Sequence, residues 1–366
     1  MALKNMNTRK KIIIVTLHSV INAGSALQAF ATEYILAKLN CSTTILNYIP
    51  YRLTLLSHLQ NMDSLKQLLT FPGYVIYSIV YAAFRKKNLH LSRRFYSIRA
   101  IEKNCPEADI YMTGSDQVWN SAYNTKLDGV YYWEFLRNNE KKISFSSSFG
   151  RSELPQDEAV KVKEMLSSYS HLSVREHSAQ VILEKMGLEN VNLTLDPTLL
   201  LRKDEWKETL IGKPIVENPY LLVYIPYNVS QWSDIEESVK LISGRTGLKV
   251  VTLSVWNTIN ADKCFRIFSP QTFLNVFYYA EYILTNSFHG TAFSINFNKQ
   301  FAVIQPKEYS TRIENLLNIV SLKRRYFKGV VNRIILDEII DYDSVNTSLN
   351  MEREKTIRYL KTAISK

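Results

Sequence analysis

The chain has 366 residues, of which 46% are hydrophobic and 22% charged, and a formal net charge of +11. That length exceeds one ordinary core and suits two domains, and the composition excludes a disordered, repeat or low-complexity protein. The positive balance calls for an anionic partner: nucleic acid, an acidic membrane surface, or a phosphorylated or carboxylated small molecule.

The basic residues are dispersed apart from one cluster, and no nucleic-acid-binding signature is present, so nucleic acid is not an expected partner. Cys41, Cys105 and Cys264 lie far apart, without zinc or disulfide spacing, which fits a reducing compartment. The apolar run Ile12–Leu17 after the basic start is too short for the core of a signal peptide. A cytoplasmic location is therefore expected.

In chain order, Lys11–Leu17 ("KIIIVTL") reads as a buried parallel strand, because it is a continuous β-branched run. "HSVINAGSALQAFATEYILAKLN" gives a glycine-containing turn and a helix, and Ser42–Tyr48 a second strand. Leu68–Phe95 is apolar and then basic. It falls short of the roughly 20 residues a spanning helix needs, and Pro72-Gly73 interrupts it. It reads either as a buried helix followed by a solvated basic turn, the favoured reading, or as an interfacial patch beside anionic lipid. The second reading would place the protein at the inner face of the membrane.

Asp109–Met112 ends at "TGSDQVWN", Lys142–Ser146 at "SSSFG", and Val191–Leu195 at "DPTLLL", with a strand, charged turn and helix in "HLSVREHSAQVILEKMG". A second β/α series follows: Tyr220–Ile225, a helix near Ile235–Thr246, Lys249–Ser254, a helix over Pro270–Ala280, Tyr282–Leu284 and Gln300–Ile304. Pro214, Pro219 and charge place a boundary near 203–218. The expected domains are 1–205 on the acceptor side and 215–330 on the donor side. Residues 331–366 form a basic helical segment that packs back on the first domain. The pattern predicts two doubly wound α/β domains, whose ligands bind beyond strand C-termini.

The residues at those C-termini are the candidates. His289 lies between a strand and a helix N-terminus that favours anions; alternatively it fills a turn. Asp116, in "GSDQVWN", either caps a helix or acts as general base toward a sugar hydroxyl. Gln117, Trp119 and Asn120 suit a sugar site, and Trp119 equally suits the core. Asn22, Gly24 and Ser25 form a ligand-facing turn without a dinucleotide fingerprint. Ser146–Gly150 and Asp196-Pro197 read as architectural. No cluster has metal-ligand spacing, so no tightly bound metal or cofactor is expected, with a loosely held divalent ion on a phosphate as the remaining option.

Taken in order, "TLHSVINAGSALQAFA", "YMTGSDQVWN", "SFSSSFG", "LSVREHSAQVIL", "LDPTLLL" and "TNSFHGTAFSINFNKQF" resemble the polysaccharide pyruvyl transferase family over roughly residues 11–320. The resemblance implies two Rossmann-like halves facing across a cleft, similar to GT-B glycosyltransferases. It also implies transfer of pyruvyl from phosphoenolpyruvate, a co-substrate, to sugar hydroxyls as a ketal on a surface-polysaccharide precursor, which can be lipid-linked. His289 would then contact the donor and transfer protons, and Arg175 would bind the donor; otherwise Arg175 is a surface ion pair with Glu176. Ser287 and Gly290 belong to the same donor motif. Many members carry Arg-Leu-His where this chain has Ser287-Phe288-His289. Another cation must replace that arginine: Arg312 first, Lys307 second. The rival readings are a GT-B nucleotide-sugar glycosyltransferase and a non-catalytic glycan- or lipid-binding module.

Overall fold

The computed structural model describes residues 9–365, apart from 63, 125, 138, 218, 228, 231, 255–258 and 308–309. The first sheet contains β1 (Lys10–Val15), β2 (Cys41–Ile45), β3 (Ile110–Thr113), β4 (Lys142–Ser144) and β5 (Tyr169–His171), in the order β2-β1-β3-β4-β5. All its pairings are parallel. A short pair, β6 (Ser173–Val174) and β7 (Asn192–Leu193), continues this layer through bridges from Ser147 to Val174 and Asp116.

The second sheet contains β8 (Tyr220–Tyr224), β9 (Lys249–Leu253), β10 (Lys263–Phe265), β11 (Tyr282–Thr285), β12 (Gln300–Ile304) and β13 (Tyr326–Phe327). Its order is β10-β9-β8-β11-β12-β13, again all parallel. Numbered within the domain, that is 3-2-1-4-5-6, the doubly wound dinucleotide-fold order; the first sheet follows the related 2-1-3-4-5 order. Strands β3, β8 and β11 are buried along their whole length, because helices cover both faces of each sheet. Their unbroken apolar sequence reflects that burial.

Each order reverses direction once: between β1 and β3 in the first sheet, and between β8 and β11 in the second. Loops part at such a reversal and leave a crevice beyond the strand C-termini. Here the two crevices face each other, and every group of the candidate site comes from their rims.

One apolar core runs through both domains and includes Leu27 and Leu36 of the first helix, Trp206, Phe273, Phe293 and Leu360. The sequence places the boundary near 203–218, where Pro214, Pro219 and charge interrupt the pattern. That stretch contains a helix, Lys203–Thr209, whose buried Trp206 packs against Phe30 of the first domain and Phe293 of the second. The last helix, Tyr342–Ser365, crosses from one domain to the other. Arg353 donates through Nη2 to Asn296 Oδ1 (2.8 Å) and through Nε to the Leu199 carbonyl (2.7 Å). Further along, Tyr359 Oη donates to the Ser144 carbonyl (2.6 Å).

The apolar-basic stretch also departs from expectation. Helix Leu65–Asn88 runs straight through Pro72, and only one of its faces is buried, through Tyr77, Tyr81 and Phe84. That anchored face holds the helix together where proline removes one backbone donor.

Candidate functional site

The rim is built locally by caps. After β1, Asn22 takes an extended conformation and its Oδ1 accepts from Ser25 N (3.1 Å), starting helix Ala23–Lys38. Thr16 Oγ1 donates to the Ser115 carbonyl (2.9 Å) and accepts from Gln28 Nε2 (2.8 Å), which ties the β1 loop to the β3 loop. After β3, Asp116 adopts φ +80°, a left-handed conformation uncommon for residues other than glycine. This turn aims its carboxylate back at Ser25, whose hydroxyl donates to Oδ2.

After β11, Asn286 clamps Tyr227 by accepting from its N–H (3.3 Å) and donating to its carbonyl (2.7 Å). Ser287 Oγ accepts from Gly290 N (3.3 Å) and so caps helix Phe288–Asn296. A side chain at Gly290 would put its Cβ 2.3 Å from Thr285 Oγ1. Ser287 and Gly290 therefore shape the turn. His289 projects from it toward the first domain, where a Cβ on Gly24 would lie 2.0 Å from the imidazole Nδ1. Only glycine leaves room for that ring.

Behind the rim lies a buried ionic cluster. Arg175 Nη1 donates to Asp196 Oδ2 (2.7 Å), Nη2 donates to Asp116 Oδ1 (3.1 Å), and Nε lies 3.8 Å from Glu176 Oε2. Its side chain is 1% exposed and sits over the Phe288 ring, with Cζ 4.9 Å from the centroid. Asp196 also accepts from Ser115 Oγ (2.9 Å) and from the Thr198 N–H (3.0 Å) and hydroxyl (2.7 Å). His289 Nε2 lies 4.0 Å from Asp196 Oδ2 and makes no hydrogen bond among the described residues.

Burial pushes the Asp116 carboxyl up, but the charges of Arg175, His289 and Arg312 and the bond from Ser25 outweigh it and bring the pKa down to about 2. Asp196 is lowered for the same reasons, with His289, Arg175 and the Thr198 bonds overcoming burial. Burial lowers the His289 pKa; the two aspartates only partly oppose it, and Arg175 and Arg312 add to it. The balance favours the neutral form of the imidazole.

A pocket opens between the domains, lined by Asn22, Ser25, Asp116, Gln117, Tyr123, Tyr227, His289 and Arg312. Arg312, on helix Ser310–Ile319, places its Cζ 5.5 Å from the Phe288 centroid. The Gln117 amide oxygen reaches Asn120 Nδ2 (2.8 Å), or, with the amide turned over, Arg312 Nη1 and Nη2 (3.1 and 2.6 Å). The N-termini of helices Ala23–Lys38 and Phe288–Asn296 also converge here, and each favours negative charge. A larger hollow of about 320 Å³ sits beside Tyr220 and Lys249, at the strand N-termini, away from these groups.

Among the expected site residues, Asn22, Asp116, Gln117, His289 and Arg312 come together on the pocket, with Gly24 against the imidazole. Ser287 and Gly290 shape the His289 turn without lining the pocket, and four others do not reach it. Trp119 is core: its Nε1 donates to the Tyr131 carbonyl (3.3 Å) and its ring packs on Tyr132 and Phe149. Asn120 is buried behind Gln117, where its Oδ1 accepts from Tyr123 N (3.1 Å). Lys307 is solvent-exposed outside the pocket lining. Arg175 lies beneath the floor, with its guanidinium already held by carboxylates, so it is neither a surface ion pair nor a direct wall of the pocket. The sequence reading missed Tyr123 and Tyr227 and took Asp196-Pro197 as architectural. Asp196 follows a predicted strand just as Asp116 does, and the rule that picked out one would have picked out the other.

Among curated proteins none matches the chain. Solved structures do. UDP-N-acetylglucosamine 2-epimerase from Rickettsia bellii aligns with a TM-score of 0.54 at 12% identity, covering 96% of each chain. The S. aureus MnaA–UDP structure aligns with a TM-score of 0.53 at 14% identity, covering 97% of each. An Arabidopsis thaliana protein solved with UDP-L-rhamnose gives 0.51 at 9% identity, covering 97% of this chain and 99% of that one. At these identities the likeness is one of fold, and it is the GT-B arrangement of two Rossmann-like domains. The profile of the polysaccharide pyruvyl transferase family matches residues 22–308, from the Asn22 cap to just past β12 and through both sides of the cleft. The chain belongs to that family.

Proposed function

We propose that the chain transfers the pyruvyl group of phosphoenolpyruvate to two hydroxyls of a sugar, forming a cyclic ketal on a precursor of a surface polysaccharide, in the cytoplasm. One observation carries the reading. His289 of the second domain is pressed against Gly24 of the first, with its Nε2 lacking a hydrogen-bond partner among the described residues, on a pocket also lined by Arg312 and two helix N-termini.

The chemistry follows from those groups. Phosphoenolpyruvate brings a carboxylate and a phosphate, which Arg312 and the helix N-termini favour. Its negative charge raises the pKa of the neutral imidazole, so donor binding loads His289 with a proton. Imidazolium gives that proton to the methylene carbon, which becomes the methyl group, and the adjacent carbon becomes oxocarbenium-like. A sugar hydroxyl adds there and passes its proton to the now neutral His289. The carbon–oxygen bond to phosphate then breaks with its electron pair on phosphate. The second hydroxyl adds to the renewed cation, and its proton leaves with phosphate or solvent. The products are ketal and inorganic phosphate.

With a pKa near 2, Asp116 is a weak base. Its role in this scheme is electrostatic: with Asp196 it stabilises the imidazolium. Arg175 holds both aspartates in place. In this scheme Asn22 and Gln117 contact the acceptor.

The test is mass spectrometry of lipid-linked and nucleotide sugars incubated with the protein and phosphoenolpyruvate, with phosphate release followed in parallel. A pyruvyl ketal adduct with matching phosphate supports the proposal, and its absence across a broad acceptor panel rejects it. The UDP-bound fold relatives favour a second reading, nucleotide-sugar transfer. Thermal stabilisation by UDP but not by phosphoenolpyruvate would select it, since a ligand of the native state raises the melting temperature. A non-catalytic glycan-binding module would be indifferent to both and to loss of His289.

A further inference from the structure

The outer face of helix Leu65–Asn88 is apolar and bare. Leu69, Ile76 and Ile79 stand 73%, 48% and 62% exposed, and Leu55, Leu56 and Leu59 of the neighbouring helix Leu55–Gln60 continue the surface. The two helices are joined where His58 stacks on Tyr74 at 3.9 Å. The segment Gln67–Asn88 is long and apolar enough to cross a membrane, with 17% of its most apolar window buried. Its inner face, however, is built into the protein. Tyr77 packs edge-on against Phe268 and donates to the Arg266 carbonyl (2.9 Å), while Tyr81 and Phe84 are buried. A helix anchored along one side lies on a bilayer rather than through it.

Charge identifies the occupant. Residues 34–101 contain nine Lys and Arg but a single acid, Asp63, and so carry eight of the eleven net positive charges of the chain. Lys86, Lys87, Arg93 and Arg94 are exposed at the end of the apolar face, and Tyr51 and Tyr96 are exposed in the flanking segments. An apolar face with a cationic end and flanking tyrosines matches the interface of an anionic bilayer. A second copy of the chain would bring the same positive charge against it.

We propose that helices Leu55–Gln60 and Leu65–Asn88 form a docking surface for an anionic lipid bilayer that holds the mouth of the cleft at the membrane. Arg52 reaches Asn124 (Nη2 to Oδ1, 2.8 Å) and stacks 5.3 Å from the ring of Tyr123, which lines the pocket. Arg85 donates to the Ser19 carbonyl (3.5 Å), in the loop leading to Asn22. A sugar carried on a lipid in that bilayer is thereby presented to the pocket; this last step rests on the pyruvyl-transfer reading, whereas docking does not.

The test is flotation of the full chain with vesicles of phosphatidylcholine alone or mixed with phosphatidylglycerol, at low and high salt, alongside light scattering for its mass in solution. Binding to the mixed vesicles should exceed binding to phosphatidylcholine by about tenfold or more and fall as salt rises. The double substitutions Ile76→Glu with Ile79→Glu and Lys86→Glu with Lys87→Glu, at exposed positions, should each weaken it by about tenfold or more. Equal binding to both vesicle types, or variants that bind as well as the parent, would overturn the proposal. So would a dimer in solution that the isoleucine variant splits while the parent ignores vesicles. Because the readout is vesicle binding, docking and pyruvyl transfer fail separately.

Discussion

Gly24 and His289 touch across the interdomain cleft, with space for no atom between the glycine backbone and the imidazole: a Cβ on Gly24 would fall 2.0 Å from Nδ1 and 2.2 Å from Cγ. The position of the histidine is therefore set jointly by both domains. The first helix of one domain forms the wall against which the turn of the other is pressed.

Gly24→Ala tests that contact. The added methyl must either push the imidazole aside or part the domains. Turnover should fall about 100-fold, the scale expected of a 1 Å misplacement at a reacting centre. The stability loss should stay within about 1–3 kcal/mol, as for other overpacked sites. Steady-state kinetics beside a denaturant titration reads both quantities, and unchanged turnover would mean that the ring has room to move.

His289→Ala should remove turnover by a factor of about 10²–10⁴, the usual contribution of a positioned acid or base. It should leave the fold intact, because among the described residues Nε2 has no hydrogen-bond partner. A variant that folds and retains near-normal rates would end the proton-transfer role, and one that fails to fold would make the residue architectural.

Much of this was legible in sequence because parallel strands leave a strong signal. A continuous β-branched run gave β1, short apolar runs gave β8 and β12, and looking just beyond strand ends gave His289 and Asp116. Direction was not legible. Trp119 lies three residues after Asp116, yet it faces inward onto Tyr132 and Phe149, a choice made by tertiary packing. Asp196 was passed over because Asp-Pro is a common strand terminator, and only the folded chain brings it 2.7 Å from Arg175. Proline likewise misled at Pro72, where the buried tyrosine face sustains the helix.

Arg175 was expected from the family resemblance to grip the donor, and its position changes the expected phenotype. Arg175→Met leaves Asp116 and Asp196 buried without their shared cation. Breaking a buried ion pair from one side costs about 3–5 kcal/mol, so the first effect should be on stability. Denaturant unfolding measures it. A loss below about 1 kcal/mol would mean that the carboxylates find other partners, and would return Arg175 to consideration as a donor ligand.

Stability should also depend on pH in the mildly acidic range. His18 is buried, and burial lowers its pKa from 6.5 to about 4 despite bonds to Asn47 and the Thr16 carbonyl. The unfolded chain then takes up a proton before the folded one. This contribution is complete above pH 6.5 and is lost as pH falls toward 4, amounting to roughly 3 kcal/mol. His289 is lowered too and acts in the same direction. The depressed Asp116 and Asp196 add losses only below about pH 4. Denaturant midpoints across this range should slope for the parent and flatten for His18→Gln; a flat parent curve would refute the account.

Arg312 bears on the arginine that many family members have and this chain lacks. Position 287 is a serine committed to capping Gly290, so it offers no charge. Arg175 is spent on carboxylates. Lys307 is exposed outside the pocket lining. Arg312 lines the pocket with His289, supported by the Phe288 ring and by Gln117. Burial lowers its pKa, and Arg175 lowers it further, so an anion entering the pocket relieves repulsion as well as gaining a partner. We expect Arg312→Ala to raise the KM for phosphoenolpyruvate by about 10–100-fold, the equivalent of roughly 1.5–3 kcal/mol for a charged hydrogen bond, with a smaller change in kcat at saturation. Arg312→Lys should recover part of that loss, because it restores the charge without the planar fork. A thermal melt of each variant separates this from unfolding. If kcat falls as far as kcat/KM while KM stays unchanged, Arg312 acts in the transition state alone and the grip on the donor must come from the helix N-termini.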